Sequence, residues 1–107
     1  MGRSTWPNTS VALATTDETE LLNVFSTHHS GHRGMTFALY STAIAGTATV
    51  KYIEPGGGER VLSSVAVPAG GTDATIIDFD FSVPETKLYF VAASGSATTV
   101  TAEAMAY

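Results

Sequence analysis

Ile77-Asp78-Phe79-Asp80-Phe81-Ser82-Val83 alternates apolar and polar residues without a break. Successive side chains of an extended strand point to opposite faces, so Ile77, Phe79, Phe81 and Val83 are predicted to line a core while Asp78, Asp80 and Ser82 meet water. A helix would scatter the same residues around its circumference. Working outward, Met35, Phe37 and Leu39 form a second inward row, Ala48, Val50 and Tyr52 a third, and Leu88 with Phe90 a fourth. Strands are predicted over 10–15, 20–26, 35–42, 47–54, 60–67, 75–83, 88–93 and 98–106. Between them stand Gly31 and Gly34, Gly46, Pro55-Gly56-Gly57-Gly58, Pro68-Ala69-Gly70-Gly71, Pro84 and Gly95, which supply backbone freedom or remove a ladder donor. Breaks every 10 to 12 residues or so predict an all-β chain, a single antiparallel β-sandwich of about eight strands with a jelly-roll-like layout. Residues 1–9 lack periodicity and read as an extended N-terminal arm, leaving 10–107 as the sandwich domain. The last strand places Val100, Ala102, Ala104 and Ala106 on one face, small enough to let another layer approach closely, from this chain or from a neighbour.

At 107 residues the chain is long enough for one core and no more. Charged residues make up only 14% of it, against about 25% in a typical globular domain. Thr, Ser, Ala and Gly fill the difference, giving a hydroxyl-rich surface suited to exposed strands and to packing beside copies of itself. The net charge is −5 and the five cations (Arg3, Arg33, Lys51, Arg60, Lys87) are scattered, which argues against direct nucleic-acid binding. With no cysteine, disulfides, thiolate metal sites and cysteine nucleophiles are all excluded. The first residues carry no apolar signal segment and no stretch approaches about 18 apolar residues, so no membrane contact and synthesis in a cytoplasm are expected.

Three imidazoles fall within five residues in His28-His29-Ser30-Gly31-His32-Arg33-Gly34. His28, His29 and His32 could ligate a transition metal if symmetry brought copies together, but no carboxylate or thiol lies nearby to complete a shell, so a polar loop without metal or other cofactor is expected. Asp78 and Asp80 share a strand face, as paired carboxylates must, yet their neighbours are those of an ordinary solvated strand. Asp73 lacks the spacing of a calcium loop. Ser94-Gly95-Ser96 reads as a turn rather than a nucleophile elbow, and Gly56-Gly57-Gly58 leads into a strand rather than the helix of a phosphate loop. No catalytic residue is assigned and the chain is read as a non-enzyme. Trp6, Tyr40, Tyr89 and Tyr107 could instead stack on a sugar, which would make a glycan- or receptor-binding module the alternative.

Several segments together resemble the small β-sandwich virion proteins of tailed bacteriophages, above all head decoration (cement) proteins. They are Val11-Ala12-Leu13-Ala14-Thr15-Thr16, Leu21-Leu22-Asn23-Val24-Phe25, Gly46-Thr47-Ala48-Thr49-Val50-Lys51-Tyr52 before a Gly-rich hairpin, Lys87-Leu88-Tyr89-Phe90-Val91, and the Ala/Thr-rich terminal strand. The resemblance implies a non-enzymatic subunit, often a homotrimer, that sits on the outer capsid surface of the virion and ties major capsid protein together. No family binding position can be carried over. Arg3, Trp6 and Pro7 of the arm, His28, His32 and Arg33 of the loop, and the Ala-rich last strand are the expected partner contacts.

Overall fold

A computed structural model describes residues 7–25, 34–71, 73–81 and 83–106. Eight strands follow in chain order: β1 (Asn8–Leu13), β2 (Thr19–Phe25), β3 (Met35–Ser41), β4 (Gly46–Ile53), β5 (Glu59–Val67), β6 (Thr75–Phe79), β7 (Glu85–Ala92) and β8 (Thr98–Ala106). They form two four-stranded antiparallel sheets, ordered β1-β8-β3-β6 and β2-β7-β4-β5. This interleaved order is that of a jelly roll. Antiparallel alternation sends the β1–β2, β3–β4, β5–β6 and β7–β8 connections to one end of the sandwich. The β2–β3, β4–β5 and β6–β7 connections leave from the other, where the described chain begins at Pro7 and ends at Ala106.

The core lies between the sheets and its rows match the sequence periodicity closely. Met35, Phe37 and Leu39 are at most 1% exposed, and Ala48, Val50, Leu88 and Phe90 are fully covered. Phe37 meets Phe79 edge to face, with ring centroids 6.2 Å apart. At the far end a buried hydroxyl pair fixes the β3–β4 turn. Ser41 Oγ donates to Ile44 O (2.6 Å), so Thr98 Oγ1 donates to Ser41 Oγ (2.7 Å) while accepting from the Ala43 and Ile44 amides. One polar atom of β8 thereby satisfies two turn donors that have no ladder partner.

Four features differ from the expectation. The strand ending at 83 stops at Phe79, because Phe79 pairs with Met35, the first residue of β3, and the ladder has no partner beyond it. Phe81 is consequently 42% exposed, resting on Phe79 at 5.3 Å rather than lining the core. Asn8 and Thr9, assigned to the arm, belong to β1 and pair with Glu103 and Ala102. Val100, Ala102 and Ala104 are covered by the opposite sheet of the same chain, so this face of β8 is core and offers nothing to a neighbour. Finally, both edge strands of the second sheet are bulged. Leu21 is the extra residue of β2, opposite the Tyr89–Leu88 step, and Leu62 the extra residue of β5, opposite Val50–Lys51. The first bulge explains how consecutive Leu21 and Leu22 are both buried.

Candidate functional site

The two sheets present outer faces of opposite chemical character. On the outer face of β2-β7-β4-β5, charges are paired off. Lys51 Nζ lies 3.1 Å from Glu18 and 3.6 Å from Glu59, and Lys87 Nζ lies 3.3 Å from Glu20; at the β4–β5 hairpin, on the side of Tyr52, Arg60 Nε lies 2.6 Å from Glu54. Beneath Lys51, whose ammonium stands 4.5 Å above the ring, Tyr89 donates its hydroxyl to Glu59 at 2.9 Å. Burial raises the Tyr89 pKa well above its usual value, and the hydrogen bond to Glu59 adds to the shift. The hydrogen bond to Glu18 is the largest cause of the upward shift at Lys51. Every described cation of the protein is thus held in an ion pair.

The outer face of β1-β8-β3-β6 holds no cation among the described residues. Its rows read Ser10–Thr101–Tyr40, Asn8–Glu103–Ala38–Ile76 and Met105–Thr36–Asp78, from the strand registers. Hydroxyls pair across strands, Ser10 with Thr101 at 3.2 Å and Thr36 with Asp78 at 2.5 Å. Because Ala38 is short, it leaves a groove of about 150 Å³ walled by Tyr40, Thr101 and Glu103. Across the strands from Glu103, on the other side of Ala38, stands Ile76, 57% exposed, with Met105 (40%) in the next row. Glu103 has no ion-pair partner among the described residues. A shallow apolar groove with one carboxylate beside it suits a side chain that is apolar along its stem and basic at its tip, as Lys or Arg is.

Most residues predicted as partner contacts, Arg3, Trp6, His28, His32 and Arg33, lie outside the described residues, as does His29. Pro7 is described, and its carbonyl accepts a hydrogen bond from the Ala104 amide at 3.0 Å, extending the β1–β8 ladder. Pro7, Phe25 and Gly34 all sit at the same end of the sandwich, so the arm and the histidine loop attach there together. Among the described residues no three His, Cys, Asp or Glu are grouped to hold a metal ion. Tyr40 and Tyr89 belong to opposite faces, and Tyr89 is only 9% exposed beneath Lys51, so the two do not make one sugar platform. Trp6 and Tyr107 lie outside the described residues. The groove itself had one signal in the sequence: Ile76 and Ile77 are adjacent in a strand, so one of them had to face outward.

No protein-family model matches the chain, and no curated protein matches it. Solved structures share the fold, among them the following two. A Yersinia pseudotuberculosis-derived mitogen aligns with a TM-score of 0.57 at 7% identity, over 96% of this chain and 86% of its own. The SPBc2 prophage-derived protein YomS aligns with a TM-score of 0.52 at 15% identity, over 98% of this chain and 99% of its own. At these identities the likeness is one of fold.

Proposed function

We propose that a jelly roll of this size, matched along nearly its whole length by a prophage-derived protein, is a non-enzymatic phage virion component that docks on the outside of a protein shell. The specific role we infer is that of a capsid decoration (cement) protein contacting major capsid protein. The observation that carries this reading is the face of β1-β8-β3-β6, which holds no cation among the described residues and where exposed Ile76 and Met105 flank a groove beside Glu103. Such a face has exposed apolar area and a carboxylate, Glu103, without an ion-pair partner among the described residues, while the opposite face pairs its lysines. Flat protein surfaces carrying basic side chains are its natural complement. The mechanism is linkage: a ligand that binds only the assembled shell stabilises it by RT ln(1 + [L]/Kd), about 2.7 kcal/mol per site at a hundredfold excess over Kd.

The test is co-sedimentation with expanded capsids, using the parent protein and the Ile76→Asp and Glu103→Lys variants. Saturable binding that rises the shell's melting temperature, and that is lost in both variants while their circular dichroism is unchanged, supports the reading. Absence of binding by the parent refutes it. A glycan array run beside it addresses the alternative of a glycan- or receptor-binding module, which requires retention on a defined sugar.

A further inference from the structure

Ala38 is the middle of a block of outward-facing positions on the β1-β8-β3-β6 sheet. The registers set Thr101 beside Tyr40 in one row, Glu103, Ala38 and Ile76 in the next, and Met105, Thr36 and Asp78 in the third. Alanines 38 and 74 keep the floor low, while Tyr40, Thr101 and Glu103 stand around it, and the hollow they leave measures about 150 Å³. Pockets that enclose a whole small molecule run to about 300–1,000 Å³. This one is sized for a single side chain inserted from a partner.

Charge selects the kind of side chain. The protein carries a net charge of −5, and Glu103 is exposed at the groove without an ion-pair partner among the described residues. Diagonally across Ala38, Asp78 Oδ1 accepts a hydrogen bond from Thr36 at 2.5 Å and adds a second acidic group to the surroundings. An acidic side chain is repelled here and a basic one attracted.

Shape then separates the two basic side chains. Tyr40 is paired with Thr101, so Glu103, two residues further along β8, is its diagonal neighbour, at a typical spacing of about 7–8 Å. An ammonium is a compact, strongly hydrated point charge, whereas a guanidinium is flat and weakly hydrated, stacks on an aromatic ring and presents a fork of donors to a carboxylate. The geometry points to this groove as a socket for one arginine side chain of the partner protein, with the guanidinium between Tyr40 and Glu103 and the methylenes over Ala38 toward Ile76. The inference rests on the docking reading above and narrows it: the surface that meets this face presents an arginine.

An NMR titration of the whole protein with the N-acetyl amides of arginine, lysine and citrulline tests the socket without any capsid. Citrulline keeps the length and planar end of arginine and lacks its charge. Arginine should give saturable shifts at the Ala38, Tyr40, Thr101 and Glu103 amides, with a Kd on the order of millimolar. Lysine should bind about threefold more weakly and citrulline about fivefold. Glu103→Gln should weaken arginine about threefold and remove its advantage over citrulline, while Tyr40→Leu should remove its advantage over lysine. Thermal melting checks the fold of each variant, and because Glu103 is exposed, Glu103→Gln carries the test should Tyr40→Leu melt early. No saturable shift at these amides, shifts confined to other residues, or arginine bound no more tightly than lysine or citrulline would overturn the proposal. Capsid co-sedimentation reads the docking role separately. Arginine binding without capsid retention refutes the shell as partner and leaves the socket standing, and capsid retention without arginine binding does the opposite.

Discussion

Adding a single methyl group at Gly46 should cost the fold more than any other glycine-to-alanine change among the described glycines. A Cβ at Gly46 would collide with the backbone carbonyl oxygen of Val91 and stand 2.5 Å and 2.9 Å from Cζ and Cε1 of Phe90. The carbonyl belongs to β7, which pairs with β4 along its length, so it cannot turn away without disturbing the central ladder of the sheet. The Phe90 ring is fully buried and has no empty rotamer to enter. Overpacking against a rigid backbone places the loss near 3 kcal/mol, at the upper end of the usual range. For a domain of this size that is a fall in Tm of roughly 12 to 20 °C. Gly56 is the matched control: its added Cβ meets nothing within 4 Å and its φ is not positive, so Gly56→Ala should be neutral or stabilising by under about 1 kcal/mol. Urea denaturation of the two variants beside the parent decides the matter. A Gly46→Ala stability within about 0.5 kcal/mol of the parent would mean that β4 and β7 do not approach as described.

Thr86 Oγ1 is buried without a hydrogen-bond partner, so Thr86→Val, equal in shape, should stabilise the protein by about 1 kcal/mol in the same denaturation assay. Thr98→Val should do the reverse and lose about 2 kcal/mol, because the Ala43 and Ile44 amides lose their acceptor at the β3–β4 turn and Ser41 Oγ keeps only Ile44 O. Stability should also decline at alkaline pH. Both Tyr89 and Lys51 hold their protons more tightly folded than unfolded, so the unfolded chain releases protons first and stability falls as pH climbs above about 10. Thermal melts of Tyr89→Phe against the parent between pH 9 and 11 should show a shallower decline for the variant.

Core rows were legible in the sequence wherever strict alternation held on both sides of a strand, as in Met35–Phe37–Leu39 and Leu88–Phe90. Legibility failed where pairing, rather than propensity, set the outcome. Phe81 continues a perfect alternation, yet its exposure depends on where β3 begins, more than forty residues earlier. Alanines of β8 read equally well as an interface or as core, and only the position of the opposite sheet decides. Likewise the Glu18–Lys51–Glu59–Tyr89 network joins residues from three strands and a connection, none of them a local motif. The groove at Ala38 is defined by what is missing from a side chain, and absence of bulk has no periodic signature. Residues 1–6 of the arm and the histidine loop, which looked most suggestive in the sequence, lie outside the described residues.

Strand order has a further consequence for how the chain is made. Of the eight strands β1 is made before the others, but its ladder partner is β8, and Ser10 waits for Thr101, 91 positions later. At synthesis rates of about 5–20 residues per second this is a delay of roughly 5 to 18 s, during which β1 has no place in a sheet. Neighbouring chains emerging from one polysome would present the same uncharged strand to each other in that interval. The jelly roll therefore makes its own first strand the last to be protected, and crowding on the message is where misassembly should begin.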